Sequence, residues 1–367
     1  MMSLNIHFLD VGHGDCTIVD FPEHFTVIDI NNCRTLAKES ESELKNKFKP
    51  PAPNPFLAGL SALGSPASQR PSLPPAPNPL LAGLSALGSP PPPSPNYFRI
   101  LAEQAESERK LQEAKDKLTN PIDYLKARFP GRSIFRYIQS HPDMDHMAGI
   151  HRLLEEGIGI ANFWDTHHCI EKDLDALRTG QVNHDIQDWH TYLTLRRSTG
   201  TNPTVLRLKA GDTNNFWTTD GIEIWAPFDH KYYNDPNSDP NSLSYVLLIR
   251  VGACNILLGG DATEATWKEI YERRKGQFPK IHLLKASHHG RKSGYHMESV
   301  KAMNPDVTIL SVGELKSKDD ASGSYERFSN KGCHSTLDHG DIRATCWEDS
   351  EVWLYDRDDN LFLQSFK

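Results

Sequence analysis

Seven consecutive residues, Ser140-His141-Pro142-Asp143-Met144-Asp145-His146, hold two imidazoles and two carboxylates directly after an apolar run. In an extended turn, side chains two positions apart point the same way. His141 and Asp143 can therefore share one cation, and Asp145 and His146 can reach a second. Mixed nitrogen and oxygen donors suit Zn²⁺, Mn²⁺ or Fe²⁺ better than Ca²⁺ or Mg²⁺. Two later segments have the same form. Ile256-Leu257-Leu258-Gly259-Gly260-Asp261 is an apolar strand pattern whose glycines allow close backbone approach before a carboxylate that can bridge two ions. Residues 281–290 (IHLLKASHHG) run into the pair His288-His289. Alone, Asp261 reads as a cap or turn and the histidine pair as a helix start or core imidazoles. Beside the first cluster, ligation by at least one of the two histidines is the better reading.

Other side chains could assist. Lys285, just before the histidine pair, either neutralises a substrate phosphate or is a solvated strand-end lysine. Residues 333–340 (CHSTLDHG) gather polar groups before a final strand. There His334 or His339 would bind substrate or donate a proton, against a plain structural turn.

Apolar runs and turn signals place strands over 4–10, 16–20, 25–30, 133–139, 204–208, 222–225, 245–251, 255–258, 281–284, 307–312 and 352–355. Helices are expected over 146–156, 265–274 and 295–303, the first presenting Ile150, Leu153 and Leu154 to a core. Strands first, then strands mixed with helices, point to a layered α/β or α+β domain.

One stretch stands apart. Residues 50–96 hold 15 of the 25 prolines and a single charged residue, Arg70. Within it, PAPNPFLAGLSALGSP (51–66) returns at 75–90 with one change, Phe56 to Leu80. Two copies are too few for a solenoid. The pattern reads as a duplicated low-complexity insertion in a surface loop, or as a docking motif presenting Leu57, Leu60 and Leu63 with Leu81, Leu84 and Leu87 to a protein partner. A charged, glycine-free helix is expected at about 98–118. Residues 1–367 thus read as one domain interrupted by this insertion.

The chain is 38% hydrophobic with 7 Trp and 15 Phe, which excludes wholesale disorder. It has no apolar run of about 18 residues, so no membrane span is expected. The first residues lack a secretory pattern, and six cysteines without a CxxC pair read as reduced thiols, together implying a cytoplasmic protein. A net charge of −8 argues against a simple basic nucleic-acid binder.

The segments FLDVGHGD (8–15), TVIDIN (26–31), SHPDMDHMAGI (140–150), NILLGGD (255–261) and LLKASHHGRKS (283–293), in this order, resemble the metallo-β-lactamase superfamily, and within it the soluble hydrolase domain of ComEC-type DNA-uptake proteins. The resemblance implies a four-layer αββα sandwich with a site for two divalent ions, zinc first and manganese next. It assigns His141 and Asp143 to one ion, Asp145 and His146 to the other, Asp261 as the bridge, and His288 in preference to His289 to complete a shell. The commoner superfamily motif is HxHxDH, and Asp143 stands at its second histidine. Many members add a further histidine before the bridging aspartate; here His167 and His168 are the candidates, against a plain surface loop.

The chemistry expected is attack by a metal-generated hydroxide, with Asp145 orienting the nucleophile and handling its proton. Such a chain would be a phosphodiesterase or nuclease, with catalytic Asp145, Lys285 and His339. Its acidic balance favours a small or single-stranded nucleic-acid or nucleotide substrate. The alternatives are a hydrolase of another ester, a lactam or phosphorylcholine, and a metal-stabilised module that binds a partner through residues 50–96.

Overall fold

Strand β8 (Val246–Val251) shows how these residues build the fold. Leu247, Ile249 and Val251 join one buried cluster while Val246 and Leu248 join another. A strand with apolar side chains on both faces must lie between two layers.

The computed structural model describes residues 2–32, 95–179, 184–228, 235–312 and 318–365. In chain order, β1 (Ser3–Phe8), β2 (Thr17–Asp20) and β3 (Phe25–Ile28) form an antiparallel meander. Helices α1 (Pro95–Asp116) and α2 (Pro121–Arg128) precede β4 (Ile134–Ile138). Next come α3 (Ile150–Glu155), β5 (Ile160–Asp165), α4 (Leu174–Thr179), α5 (Ile186–Arg196) and β6 (Thr204–Arg207). Strands β3 to β6 pair in parallel.

After α6 (Asn215–Thr218), β7 (Ile222–Ala226), β8 and β9 (Cys254–Leu258) start a second sheet with antiparallel pairing. Helix α7 (Glu264–Arg273), β10 (Leu283–Lys285), α8 (Met297–Met303), β11 (Val307–Leu310), α9 (Ser322–Glu326) and β12 (Cys333–Ser335) follow, and β9 to β12 run parallel. Helix α10 (Thr336–His339) leads to β13 (Ile342–Trp347), β14 (Val352–Tyr355) and β15 (Leu361–Ser365), which return to the first sheet beside β1.

The described strands form a nine-stranded sheet, β15-β14-β13-β1-β2-β3-β4-β5-β6, and a six-stranded one, β12-β11-β10-β9-β8-β7. Their facing sides share a core containing Leu4, Ile6, Phe8, Trp164, Ile256 and Ile309. On the outer face of the first sheet, Val27, Tyr137 and Phe163 pack with Ile122, Leu125, Leu153 and Trp189 of the helices. On the outer face of the second, Leu257 and Leu284 meet Trp267, Ile270, Val300 and Met303. Three cores between four layers make the expected αββα sandwich.

Pairing direction explains where the chemistry gathers. Strands β1 and β3 run the same way, because each is antiparallel to β2, and β4 is parallel to β3. Their C-terminal ends therefore share one edge. The ends of β9 and β10 share an edge of the second sheet, and Tyr245 N–H donates to Ser140 C=O at 3.0 Å to bring the two edges together.

Where 146–156 is expected to be one helix, the structure has a 3-10 turn at Met144–His146 and α3 beginning only at Ile150. The carbonyls of His146 and Ala148 accept from Ile30 and Asn32 N–H at 3.0 and 2.8 Å, and Gly149 adopts φ 102. That tertiary pairing outcompetes helical hydrogen bonds and aims His146 at the sheet edges.

The chain divides into two units, residues 1–39 with 114–367, which hold the sandwich, and residues 40–113. Helix α1, expected at about 98–118, carries Arg109 between Glu106 at 2.8 Å and Glu113 at 2.5 Å. The repeats at 51–66 and 75–90, and Cys33, lie outside the described residues. The five described cysteines are free, and among the described residues no helix is long and apolar enough to cross a membrane.

Candidate metal centre

The site starts from a strained residue. Asp29, immediately after β3, holds φ 59, a left-handed conformation unusual for a non-glycine side chain. Its carboxylate accepts from Ser140 N–H at 2.7 Å, from Ser140 Oγ–H at 2.5 Å and from His146 Nδ1 at 2.8 Å. Ser140 has spent its proton on Asp29, so at 2.9 Å its Oγ accepts from His141 Nδ1. His289 Nδ1 donates to Ser311 C=O at 2.9 Å. In the neutral form all three imidazoles therefore present an unprotonated Nε2, each oriented by an outer hydrogen bond, as metal-binding histidines are.

Those three Nε2 atoms are buried without a hydrogen-bond partner, as is Asp261 Oδ1. They converge. Asp261 Oδ2 lies 3.3 Å from both His146 Nε2 and His289 Nε2, and His289 Nε2 lies 4.0 Å from Asp145 Oδ2. Donor atoms of His141, His146 and Asp261 lie within 4.8 Å of one another, as do those of Asp145, His146 and His289, and those of Asp15, Asp261 and His289. Buried polar atoms are ordinarily satisfied. A constellation of orphaned nitrogens and a carboxylate oxygen fits a divalent ion.

The electrostatics agree. Burial opposes charge on His146, yet the carboxylates of Asp261, Asp29 and Asp145 outweigh it and raise its pKa well above the usual histidine value. Burial likewise opposes charge on His289, and Asp261 overrides it upward. Asp261 and Asp145 are held below the usual carboxylate range against burial, chiefly by His289 and His146 for the first and by His146 and His13 for the second. His141 is pushed down by burial.

His141, Asp145, His146 and Asp261 are thus brought together, and so is His289. His288, preferred over His289 from the resemblance, sits at the rim: its Nε2 is 3.9 Å from Asp261 Oδ2 and its Nδ1 pairs with Ser293 Oγ at 2.8 Å. Both histidines adopt positive φ, 50 and 57. That double left-handed turn drives the second imidazole, rather than the first, into the cluster. Asp143 turns away; its Oδ1 accepts from Met144 N–H and from Lys172 Nζ, each at 2.9 Å, and it belongs to no donor group.

Lys285, expected at a substrate phosphate or in solvent, is instead buried and ion-paired with Asp15 beneath the donors, because β10 is an interior strand. His168 is buried away from the cluster, 2.6 Å from Tyr192 Oη, which in turn donates to Asp165 at 2.6 Å; His167 is exposed on the same loop. His339 stacks on Phe362 at 4.0 Å between ring centroids, with His334 5.6 Å away bonding Lys331 C=O at 3.1 Å. Neither belongs to a donor group.

Sequence reasoning assigned no role to His13, Asp15 or Asp29. His13 Nε2 lies 3.4 Å from Asp145 Oδ2. The available signal was the pair of glycines flanking His13 and an aspartate directly after the strand at 25–28.

No family model matches the chain. Over 73 residues it is 40% identical to Recombination protein 2 of Haemophilus influenzae, a match covering 20% of this chain and 9% of that protein. Among solved structures it is similar to the metallo-beta-lactamase fold protein YhfI of Bacillus subtilis (TM-score 0.42, 8% identity, 91% of this chain and 96% of that one). It is also similar to unliganded PDE1 of yeast (0.42, 13%, 94% and 99%). A third is Igni18, a metallo hydrolase of Ignicoccus hospitalis (0.41, 10%, 93% and 98%). In its motifs and its layered architecture, the chain resembles the metallo-β-lactamase superfamily.

Proposed function

We propose that this chain is a metal-dependent hydrolase that cleaves phosphodiesters in a nucleotide or a short, single-stranded nucleic acid. The observation that carries the reading is the set of orphaned donors, His141 Nε2, His146 Nε2, His289 Nε2 and Asp261 Oδ1, aimed at one place. The overlapping groups together offer more donors, from His141, Asp145, His146, Asp261 and His289, than one tetrahedral ion takes, which supports a site for two cations, the arrangement suited to displacement at phosphorus. Zinc or manganese matches the mixed donors. When bound, the ions would supply Lewis acidity toward a phosphoryl oxygen and acidify a water.

The chain's own groups do the rest. Asp145 is partly exposed where His13 and His289 flank it, and it accepts the proton of the attacking water. Arg291, two residues beyond His289 on the same loop, is the cation we propose to meet a substrate phosphate in place of the buried Lys285. A similarity to a protein named for recombination supports nucleic acid, and the net charge of −8 favours a small or single-stranded form over a long duplex.

The test is metal analysis followed by turnover of bis-p-nitrophenyl phosphate, single-stranded DNA and nitrocefin. We expect bound zinc or manganese and phosphodiester cleavage that falls at least about 100-fold in Asp145→Ala and is lost in chelator. Cleavage of nitrocefin alone would move the reading to lactams. Bound metal without turnover, together with a protein partner lost on deleting 50–96, would move it to a binding module.

A further inference from the structure

His13 belongs to none of the tight donor groups, yet its surroundings hold it at their edge. It sits between Gly12 (φ 78) and Gly14 (φ 128), so the loop after β1 makes a turn that side-chain-bearing residues rarely adopt. Its carbonyl accepts from Asn31 Nδ2, and Asp15 N–H donates to Asp145 C=O at 3.4 Å. A Cβ on Gly14 would fall 2.3 Å from both Asn31 Nδ2 and the Asp145 carbonyl oxygen. The loop is thus seated directly on the 145 turn, and Asp15 is anchored from below by Lys285.

From that seat the His13 imidazole faces Asp145, with Nε2 3.4 Å from Oδ2, and its ring lies 5.8 Å from the ring of His289. Zinc–nitrogen and zinc–oxygen bonds of about 2.0–2.1 Å put neighbouring donors of a tetrahedral shell about 3.4 Å apart. Around Asp145 the separations are 3.4 Å to His13 and 4.0 Å to His289, and beside them Asp261 lies 3.3 Å from both His146 and His289. His13 continues the same spacing on the open side, next to the carboxylate that closes the Asp145, His146 and His289 group. Meanwhile His168 is held in its bond with Tyr192, and neither it nor the exposed His167 belongs to a donor group.

We infer that His13 is a metal ligand supplied by the N-terminal loop, completing the shell of the ion held by Asp145, His146 and His289. This rests on the metal reading above and adds a donor to it. The alternative is that His13 only hydrogen-bonds a ligating Asp145 from outside.

Cobalt(II) substitution separates the two by spectrum, without reference to activity. In His13→Cys, a thiolate bonded to the ion produces a sulfur-to-cobalt charge-transfer band absent from the wild type. In His13→Gln, we expect the cobalt d–d spectrum to change and affinity for the weaker-held ion to fall by more than the roughly 10–100-fold that loss of an outer hydrogen bond costs. A cysteine variant with no charge-transfer band, beside a glutamine variant with an unchanged d–d spectrum, overturns the inference alone. Wild-type protein that takes up no cobalt, zinc or manganese overturns the metal reading and this inference with it.

Discussion

At the residue scale, the site is organised by groups that need not touch a substrate. Asp29 accepts from Ser140 and from His146, and so orients His146 directly and His141 through Ser140. Lys285 and Asp15 form an ion pair with both side chains 3% exposed, and Asp261 adds to the field that keeps the ammonium charged against burial. Breaking a buried pair on one side leaves an uncompensated charge and costs about 3–5 kcal/mol, whereas removing both partners is far cheaper. We therefore expect Lys285→Met to lower stability by about that amount and the double variant Asp15→Asn/Lys285→Met to recover much of it, measured by urea unfolding. Equal stabilities for the single and double variants would show that the pair is not coupled.

At the element scale, the site depends on turns more than on regular structure. The ends of β3, β4, β9 and β10 deliver side chains only because the next residues leave the strand path, at Asp29, at 139–146, at Gly259-Gly260 and at His288-His289. The loop after β1 is as exacting, since the position of a Cβ on Gly14 overlaps backbone and side chain of two other loops. Gly14→Ala should destabilise the protein by about 1–3 kcal/mol through backbone strain. It should also weaken metal uptake, because the 145 turn must move to make room. Isothermal titration with zinc and thermal unfolding read the two effects; a variant with wild-type values in both would mean that the loop yields without disturbing the centre.

At the scale of the whole molecule, three apolar cores bury imidazoles as well as aliphatic chains. His7, on β1 beneath α2, takes a hydrogen bond from Tyr124 Oη at 2.8 Å. Burial first, then Arg128, pushes its pKa down from 6.5 to about 3. His168 falls to about 3 as well, by burial and then Arg196. In the unfolded chain these imidazoles bind protons below about pH 6.5, and in the fold they do not until about pH 3. Their contribution is therefore complete above pH 6.5 and is lost as pH falls from 6.5 toward 3, at up to about 1.4 kcal/mol per pH unit for each. Asp10 and Asp188, raised by burial to about 6, act with the opposite sign: their contribution is present below the unfolded carboxylate value and lost as pH rises through 6. Whole-protein stability mixes the two. The His7→Gln variant separates them, and its unfolding free energy should decline less between pH 6.5 and 4.5 than that of the wild type. Parallel pH profiles would show that His7 titrates alike in both states.

What the amino-acid order determines by itself is local: which runs alternate as strands, where glycines end them, and which capable side chains follow at the tips. His141, Asp145, His146 and Asp261 could be picked out because each lies one turn beyond an apolar strand. Direction and partnership were settled only in three dimensions. His289 enters the cluster ahead of His288 because of two successive left-handed residues, and Asp143 turns to Lys172, 29 positions later. Lys285 is drawn inward by Asp15, 270 positions earlier, and His13 reaches Asp145 only because β1 and β4 end at one edge. Local spacing says which groups are near a strand end. The pointing of each side chain is decided by long-range hydrogen bonds and charge pairs, which no window along the chain contains.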